Sequence, residues 1–388
     1  MLCRKEIFLF SYVLYLGVYG ANDTQKAANE RSIFNGANIE DIINLKIDDY
    51  CEEGNYKKGD FTSPKRRISE VKCLDYIWTA RYQQYQFELN ELCIKEIVIG
   101  GRPAFYGEFP HMGALGWRST SKENEWEFKC GASLISERFM VTAAHCTYVS
   151  TRDGTVANHH PEIVKLGDTF LINSYPEEEE RRKYDNFNDF VLDIEKNRLF
   201  ADIPDHLKPK YVRISRIIKH ENYRAPKVYF DIALLELAES VDIGPLIRPA
   251  CLWGNTDTSS LGTLSVTGWG VVDTVTRKAT TELQVADVNV IDDNLCDEKL
   301  NGKHNRNWRG LVDHQICAGQ LAGGIDTCQG DSGGPLQAKI NLTQFWDMYY
   351  LVGVTSFGFN CARPDVPSIY TRTASFIDWI ERVVWPDS

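Results

Sequence analysis

The sequence has no excess of positive charge and lacks two patterns that define other protein classes. Lysine and arginine total 43 against 54 aspartates and glutamates, which gives a net charge of −11. We therefore expect neither nucleic acid nor an anionic membrane as a partner, since both attract basic surfaces. No Cys-x-x-Cys pair is present, so no metal site is expected. Beyond the first twenty residues, no apolar run is long enough to span a membrane.

The N-terminus, residues 1–20, is typical of a secretory signal peptide. Two basic residues precede the apolar run Ile7–Val18, which is too short for a transmembrane helix. We expect cleavage before Ala21 and an extracellular location for the mature chain. Asn22 and Asn341 each begin an Asn-x-Thr sequon, so both are expected glycosylation sites in a secreted protein.

Hydrophobic patterning changes near residue 98. Residues 21–97 are polar, and we expect an irregular pro-region there. From residue 98 onward, short apolar or alternating runs are separated by turn residues, which predicts an all-β fold of many short strands. The last segment places Phe376, Ile380 and Val383 on one helical face, which predicts a C-terminal helix.

The most informative motif surrounds Ser332, in the run Cys-Gln-Gly-Asp-Ser-Gly-Gly-Pro. The glycines allow backbone conformations closed to other residues, so the turn can project the serine and aim N–H groups at one point. A serine hydroxyl needs a base to take its proton and donors to stabilise an oxyanion. His145, in Val-Thr-Ala-Ala-His-Cys, and Asp231, in Tyr-Phe-Asp-Ile-Ala-Leu-Leu, precede it in the chain order of chymotrypsin-type proteases.

Together with the stretches 107–117, 247–253 and 355–361, these motifs resemble the trypsin/chymotrypsin-like serine proteases. Within that family they look most like the insect clip-domain proteases. The resemblance covers residue 98 to the C-terminus and implies two six-stranded antiparallel β-barrels with the active site in the cleft between them. It divides the mature chain into a light chain, 21–97, and a protease domain, 98–388. Clip modules normally hold six cysteines, so the clip here is degenerate or lost.

The resemblance also implies the catalytic roles. Ser332 would attack the scissile carbonyl, and His145 would take its proton and later return it to the leaving amine. Asp231 would hold the imidazole in the required tautomer. The N–H groups of Gly330 and Ser332 would form the oxyanion hole.

Substrate choice is expected to depend on Asp326, which in the family lies at the base of the primary specificity pocket and selects Arg or Lys. Gly358 would keep one pocket wall open, and the segment from Ser356 to Gly358 would pair with the substrate backbone. Ser368 stands where trypsins usually have glycine, so it narrows the pocket floor and leaves the choice between Lys and Arg open. Pro367 replaces the aromatic residue of sodium-binding relatives, so no sodium site is expected.

Activation in this family frees an aliphatic N-terminus whose ammonium pairs with the aspartate before the nucleophile, here Asp331. Val98 begins the aliphatic-aliphatic-Gly-Gly pattern, so cleavage would follow Ile97. Alternatively Ile97 is itself the new terminus. A cut after Lys95 fits poorly because it leaves a glutamate first. In either favoured case the activator is not an ordinary trypsin-like enzyme.

Ten cysteines follow the signal peptide, an even number that suits an oxidising compartment. The resemblance implies four disulfides, of which the last links the pro-region to the protease domain: Cys130–Cys146, Cys296–Cys317, Cys328–Cys361 and Cys93–Cys251. Cys51 and Cys73 remain and are paired by elimination.

An acidic insertion departs from the family pattern between Gly167 and His220, where the run Glu177–Lys183 carries four glutamates and three basic residues. Acidic loops in this region bind calcium in some relatives, and charge runs are more often solvated loops. We favour a solvated loop and expect no cofactor, with calcium as the alternative.

The sequence therefore predicts a secreted trypsin-like endopeptidase zymogen of an arthropod cascade, of the Toll, melanisation or patterning type. Its expected partners are a downstream zymogen as substrate, an upstream activating protease and a serpin-type inhibitor. A digestive or venom trypsin is one alternative. Another is an inactive protease homologue that acts as a binding cofactor, although such homologues usually replace the nucleophile.

Overall fold

The computed structural model describes residues 61–62, 66–90, 102–104, 107–121, 125–171, 209–273, 278–322, 331–340, 347–359 and 364–386. In chain order the elements are α1 (Ile68–Asn90), β1 (Arg102–Pro103), β2 (Met112–Arg118), β3 (Trp126–Leu134), β4 (Phe139–Thr142), a 3₁₀ turn (Ala144–Thr147), β5 (Ile163–Leu166), β6 (Lys210–Lys219), β7 (Ala233–Leu237), β8 (Cys251–Leu252), a 3₁₀ turn (Ser259–Leu261), β9 (Leu264–Gly268), β10 (Val271–Asp273), β11 (Lys278–Ala279), β12 (Gln284–Val290), α2 (Asp293–Leu300), a 3₁₀ turn (Asn301–Lys303), β13 (Gln315–Gly319), β14 (Pro335–Ile340), β15 (Met348–Phe357), β16 (Ser368–Arg372), a 3₁₀ turn (Thr373–Phe376) and α3 (Ile377–Val384).

Strands β2 to β7 close the first barrel in the order β2-β3-β4-β7-β6-β5, and β5 pairs back with β2. Every neighbouring pair is antiparallel. The barrel core contains Leu115, Trp117, Leu134 and Met140, all fully buried. The C-terminal helix α3 packs against this core through Ile380, which is also fully buried. The barrel and the C-terminal helix predicted from the sequence are thus present.

Six later strands form the second barrel. The chain of pairings runs β12-β13-β16-β15-β14-β9, and β9 pairs with β12 to close the ring. All six pairings are antiparallel. Strand β1 pairs antiparallel with the start of β12, and β8 pairs parallel with β15. The two six-stranded antiparallel barrels predicted from the sequence are therefore confirmed.

A buried histidine links the two barrels. His111, immediately before β2 of the first barrel, lies 2.6 Å through Nε2 from Oε1 of Gln337 on β14 of the second. Its side chain is 1% exposed. Burial, aided by the nearby Arg248 guanidinium and only partly opposed by the Gln337 bond, lowers the pKa of His111 from 6.5 to about 4. The link between the barrels thus contains a neutral imidazole.

We expect acid to weaken the fold through His111. Above pH 6.5 the folded and unfolded chains both hold a neutral imidazole. Below it the unfolded chain binds a proton that the folded chain does not, so stability falls until about pH 4. At 1.36 kcal/mol per pKa unit, the loss is roughly 3 kcal/mol. Urea unfolding of wild type and His111→Gln between pH 7 and 4 measures it.

The His111→Gln variant should lose less stability on acidification than wild type by that amount. His160→Gln, a change of the same chemistry at an exposed histidine, serves as the control and should follow wild type. Parallel pH dependences for wild type and His111→Gln would contradict the assignment of a neutral buried imidazole.

We expected residues 21–97 to be irregular throughout. The structure corrects this expectation, because residues 68–90 form helix α1. The segment contains no glycine or proline. Its residues Cys73, Leu74, Ile77 and Ala80 are buried at helical spacing and join the core of the second barrel. The sequence therefore carried a helical signal, which the polar composition of the surrounding region obscured.

Hydrogen bonds hold the start of α1 against the C-terminal helix α3. The Ser69 N–H and Oγ both donate to Glu381 Oε1, at 3.0 and 2.6 Å. Arg67 pairs with Glu381 at 3.0 Å and also with Asp378. Farther along the helix, the Tyr76 hydroxyl donates to Glu137 Oε2 at 3.2 Å. The helix is therefore attached to the double barrel by polar contacts as well as by its apolar face.

The disulfide that links helix α1 to the barrels is Cys73–Cys251, with Cα atoms 5.0 Å apart. The Cys93–Cys251 bridge expected from the resemblance and the Cys51–Cys73 pair expected by elimination are therefore both wrong, since each sulfur forms one bond. The reason is that α1 packs against β8 and brings Cys73 to Cys251, and both are buried. The Cys130–Cys146 and Cys296–Cys317 disulfides are present as expected.

Cleavage near Val98, which the family resemblance implies, should leave the preceding segment attached through Cys73. We expect the cleaved wild-type chain to migrate as one species on a non-reducing gel and as two after reduction. Cys73→Ser should release the light chain without reduction, whereas Cys93→Ser, the matched control, should not. Release from Cys93→Ser together with retention in Cys73→Ser would restore the original assignment.

Several expectations lie outside the described residues. They concern the signal peptide, the sequons at Asn22 and Asn341, the Cys328–Cys361 disulfide and the acidic insertion at Glu177–Lys183. Among the helices that the structure describes, none combines the length and the apolar character needed to cross a bilayer.

Candidate active site

His145 and Asp231 meet in the first barrel. His145 lies in the 3₁₀ turn after β4, and Asp231 precedes β7, which pairs with β4. Asp231 Oδ2 lies 2.8 Å from His145 Nδ1, and Oδ1 accepts from the His145 backbone N–H at 2.9 Å. The carboxylate is 1% exposed, whereas the imidazole is 36% exposed. Asp231 therefore fixes both the ring and the backbone of His145 while leaving the ring open to the surface.

The buried pair shifts both pKa values. Burial raises the pKa of Asp231, but the His145 imidazole and the hydrogen bonds to the carboxylate more than offset this, so the pKa lies below its usual value. Burial lowers the pKa of His145, but the Asp231 carboxylate outweighs it, so that pKa is raised. The contact favours a proton on His145 Nδ1 and leaves Nε2 as the basic nitrogen.

Two hydroxyl groups that the sequence did not single out for this purpose complete the environment of Asp231. Ser356 Oγ donates to Asp231 Oδ2 at 2.6 Å, and Thr371 Oγ1 donates to the Asp231 backbone carbonyl at 2.8 Å. Ser356 was expected to contact substrate through its backbone, whereas its side chain serves the buried carboxylate. Both residues are more than a hundred positions from Asp231, so no local pattern could have revealed these bonds.

Ser332 lies in a turn inserted between the barrels. Gly131 N–H, on β3 of the first barrel, donates to the Ser332 carbonyl at 2.8 Å. Gly333 has a φ of +77°, and its N–H donates to the Thr355 carbonyl of β15 at 2.9 Å. The turn is closed by a 2.9 Å bond from Gly334 N–H to the Asp331 carbonyl. Both barrels thus position the half-buried serine.

No hydrogen bond joins Ser332 Oγ to His145 Nε2 among the described side chains, where Nε2 lies 3.7 Å from Cys146 Sγ. Catalytic hydrogen bonds are often long without substrate and tighten in the complex. Gly330, the other expected oxyanion donor, lies outside the described residues.

The Asp331 side chain lies against the end of β9. Its Oδ1 accepts from the Gly270 N–H at 2.8 Å. A Cβ added to Gly268 would lie 2.0 Å from Asp331 Oδ1, and one added to Gly270 would lie 2.4 Å from Oδ2. Only glycines allow the carboxylate to approach this backbone so closely. The expected activation residues Ile97 and Val98 lie outside the described part of the chain.

Two of the expected specificity residues are neighbours. A Cβ added to Gly358 would lie 2.8 Å from Ser368 Oγ, so the serine occupies the space beside the glycine. Ser368 begins β16 and is 1% exposed. The third specificity residue, Asp326, lies outside the described residues.

One group of described residues could offer metal ligands, namely Cys130, His145 and Cys146. The two sulfurs are joined in the Cys130–Cys146 disulfide and are therefore not thiolates. The group lacks the ligand chemistry of a metal site.

A double β-barrel that carries an Asp-paired histidine and a Gly-flanked serine is the arrangement that defines chymotrypsin-like proteases. The trypsin family model matches residues 98–191 and 202–380. The chain belongs to the trypsin family of serine proteases.

Three curated relatives give this membership more detail. Serine protease snk of Drosophila melanogaster is 34% identical over 82% of this chain and 66% of its own length. Serine protease Hayan of the same organism is 33% identical over 75% of this chain and 39% of its own length. Phenoloxidase-activating factor 3 of Holotrichia diomphalia is 34% identical over 74% of this chain and 72% of its own length. The chain thus spans less than two thirds of the length of the first two relatives.

Proposed function

We propose that this protein is a secreted serine endopeptidase, made as a zymogen, that cleaves after Arg or Lys. The proposal is carried by one observation: a buried carboxylate, Asp231, is held by Ser356 and fixes His145, while the Ser332 turn joins the two barrels. The family match begins at residue 98, which supports a protease domain of 98–388 preceded by a light chain.

In the proposed reaction, Ser332 Oγ attacks the scissile carbonyl as His145 Nε2 takes its proton. His145 then protonates the leaving amine, and water repeats the sequence on the acyl-enzyme. Asp231 stabilises the imidazolium, for which its buried position and low pKa suit it. The N–H groups of Gly330 and Ser332 stabilise the oxyanion. Nucleophile, base and donors all come from the chain, so this reaction needs no cofactor.

The proposed specificity rests on Asp326 at the base of the pocket, where a carboxylate is costly to desolvate unless a cation binds it. We propose Gly358 and Ser368 as adjoining parts of the same pocket, because a Cβ added to Gly358 would lie 2.8 Å from Ser368 Oγ. The Ser368 hydroxyl would add a hydrogen-bond acceptor to the pocket and make the pocket shallower. We therefore expect Ser368 to set the relative preference for Lys and Arg substrates.

The proposed switch is Asp331. A new N-terminus at Val98 would bring an ammonium to the carboxylate that lies beside Gly268 and Gly270, and the pairing would order the oxyanion hole. Cleavage after Ile97, or before it, calls for an activating protease that does not require a basic residue at the cut.

A place in an extracellular cascade is supported by the relatives and by the retained light chain. One relative is named for activating phenoloxidase, and another is a clotting factor subunit, 30% identical over 75% of this chain. The Cys73–Cys251 bridge would keep the light chain on the active enzyme, whereas a digestive trypsin has no need of it. We propose a downstream zymogen as substrate and a serpin-type inhibitor as regulator.

The decisive test uses the full chain with residues 94–97 replaced by a site for a protease of known specificity, so that the cut leaves Val98 first. The cleaved protein is treated with a fluorophosphonate probe and assayed on peptide anilides ending in Arg, Lys or Phe. We expect labelling and hydrolysis of the Arg and Lys peptides. Ser332→Ala should abolish both, and Asp326→Ser should abolish hydrolysis of the basic peptides while retaining labelling.

Each outcome separates the alternatives. Absence of labelling in the cleaved wild type would favour the inactive homologue that acts as a binding cofactor. Hydrolysis of Arg peptides by Asp326→Ser would show that the pocket assignment is wrong. Sequencing of the heavy chain from naturally activated protein then tests Val98, and a start at Glu96 would overturn the activation proposal.

A further inference from the structure

The residue before Asp231 has an unfavourable backbone conformation. Phe230 has a φ of 55°, one of two positive values among the non-glycine residues that the structure describes. A bulky side chain in the left-handed region is disfavoured and persists only when the surroundings hold it there. The Phe230 carbonyl also accepts a hydrogen bond from the Ile232 N–H at 2.8 Å, which closes a tight turn around Asp231. A contact that fixes the backbone of Phe230 therefore also fixes the backbone position of Asp231.

His314 contacts Phe230 through both its backbone and its ring. The Phe230 backbone N–H donates to His314 Nε2 at 3.2 Å. The His314 ring also stacks on the Phe230 ring, with centroids 4.1 Å apart and planes inclined by 23°. Because a backbone N–H can only donate, Nε2 must carry the lone pair, and the proton lies on Nδ1. His314 comes from the second barrel, just before β13, so it reaches across to the first barrel.

The surroundings favour the neutral ring that this bond requires. Burial lowers the pKa of His314, and the charge of nearby His220 lowers it further, against an opposing effect of Asp313. His220 is a second stacking partner of Phe230, with centroids 5.3 Å apart, but its Nδ1 accepts from the Asn222 N–H instead. Of the two histidines, only His314 accepts a hydrogen bond from the Phe230 backbone.

We propose that His314 is a positioning residue of the active site, which acts through Phe230 to hold the Asp231 carboxylate against His145. This inference rests on the proposed protease function. Besides His145 itself, Ser356 contacts the Asp231 carboxylate and Thr371 contacts the Asp231 carbonyl. The hydrogen bond to His314 adds a constraint on Phe230, the residue that precedes Asp231. It also links the second barrel to the first.

Two variants separate the hydrogen bond from the stacking. His314→Phe keeps an aromatic ring on Phe230 but offers no acceptor, and His314→Gln keeps an acceptor at a similar reach but loses the ring. In the cleaved full chain we expect His314→Phe to lower kcat on an Arg peptide anilide by about 10- to 100-fold, with KM within about threefold. His314→Gln should retain kcat within about threefold of wild type.

A second measurement does not depend on turnover. NMR titration of His145 reports its pKa, which the Asp231 carboxylate raises. In His314→Phe the carboxylate is displaced, so the pKa of His145 should fall toward its usual value of about 6.5. In His314→Gln it should remain at the wild-type value. This readout distinguishes the two proposals, because it tests His314 even if the cleaved wild type neither labels nor turns over.

His220→Phe is the matched control, since it makes the same substitution at the other histidine stacked on Phe230. It should leave kcat and the pKa of His145 near their wild-type values. The inference is overturned if His314→Phe behaves as wild type, if His314→Gln is as impaired as His314→Phe, or if His220→Phe has an equal effect. The last two results would assign His314 a packing role alone.

Discussion

Asp231→Asn should lower kcat by about 10⁴-fold while leaving the protein folded. An asparagine side chain can still accept from the His145 backbone N–H, as Asp231 Oδ1 does at 2.9 Å. Its amide nitrogen, however, would donate to His145 Nδ1 across the present 2.8 Å contact. The ring proton would then lie on Nε2, which could no longer accept the proton of Ser332. In serine proteases a triad in the wrong tautomer loses about four orders of magnitude.

The measurement is kcat on an Arg peptide anilide with the cleaved full chain, beside circular dichroism and thermal unfolding. Asp242→Asn is the matched control, because Asp242 is an exposed carboxylate 2.9 Å from Lys210. It should keep full activity. A loss smaller than tenfold for Asp231→Asn would mean that the buried carboxylate supports the fold and not the reaction.

A pH dependence of stability should accompany the loss. Because the pKa of Asp231 is held below its usual value in the fold, its contribution is fully present above the unfolded value of about 3.9. It disappears as the pH falls through the folded value. Asp231→Asn should therefore show a flatter stability profile below pH 4 than wild type.

Gly333→Ala should have the second large effect, and it acts on both fold and activity. The added Cβ would lie 2.2 Å from Thr142 Oγ1 and 2.5 Å from the Gly131 carbonyl oxygen. Neither neighbour can retreat easily, since Thr142 Oγ1 donates to that same carbonyl at 2.8 Å. The φ of +77° adds the cost of a left-handed conformation, about 1–2 kcal/mol. With overpacking of about 1–3 kcal/mol, the expected destabilisation is roughly 2–5 kcal/mol.

Urea unfolding gives the destabilisation, and fluorophosphonate labelling of the fraction that remains folded gives the effect on Ser332. We expect labelling at least about 100-fold slower than wild type, since the turn must shift to admit the methyl group. Gly154→Ala is the control, because a Cβ there meets nothing within 4 Å. Equal behaviour of the two alanine variants would mean that the turn is far more adaptable than its contacts indicate.

The fold class was predictable because short alternating runs and turn residues report strand structure locally. Helix α1 was also encoded locally, by Cys73, Leu74, Ile77 and Ala80 at helical spacing in a segment free of glycine and proline. The pairing of the cysteines, in contrast, was not encoded locally. Cys251 is 178 residues from Cys73, and only the docking of α1 on β8 decided between Cys73 and Cys93.

The motifs around His145, Asp231 and Ser332, and the order of these residues in the chain, predicted the chemical groups of the candidate site. Their arrangement was decided by long-range contacts. The hydrogen bonds from Ser356 and Thr371 to Asp231 span 125 and 140 positions, and the bond from Phe230 to His314 spans 84. Such contacts follow from the closure and docking of two barrels, which bring distant residues together. A linear pattern records which groups are present, whereas the docked barrels determine which of them touch.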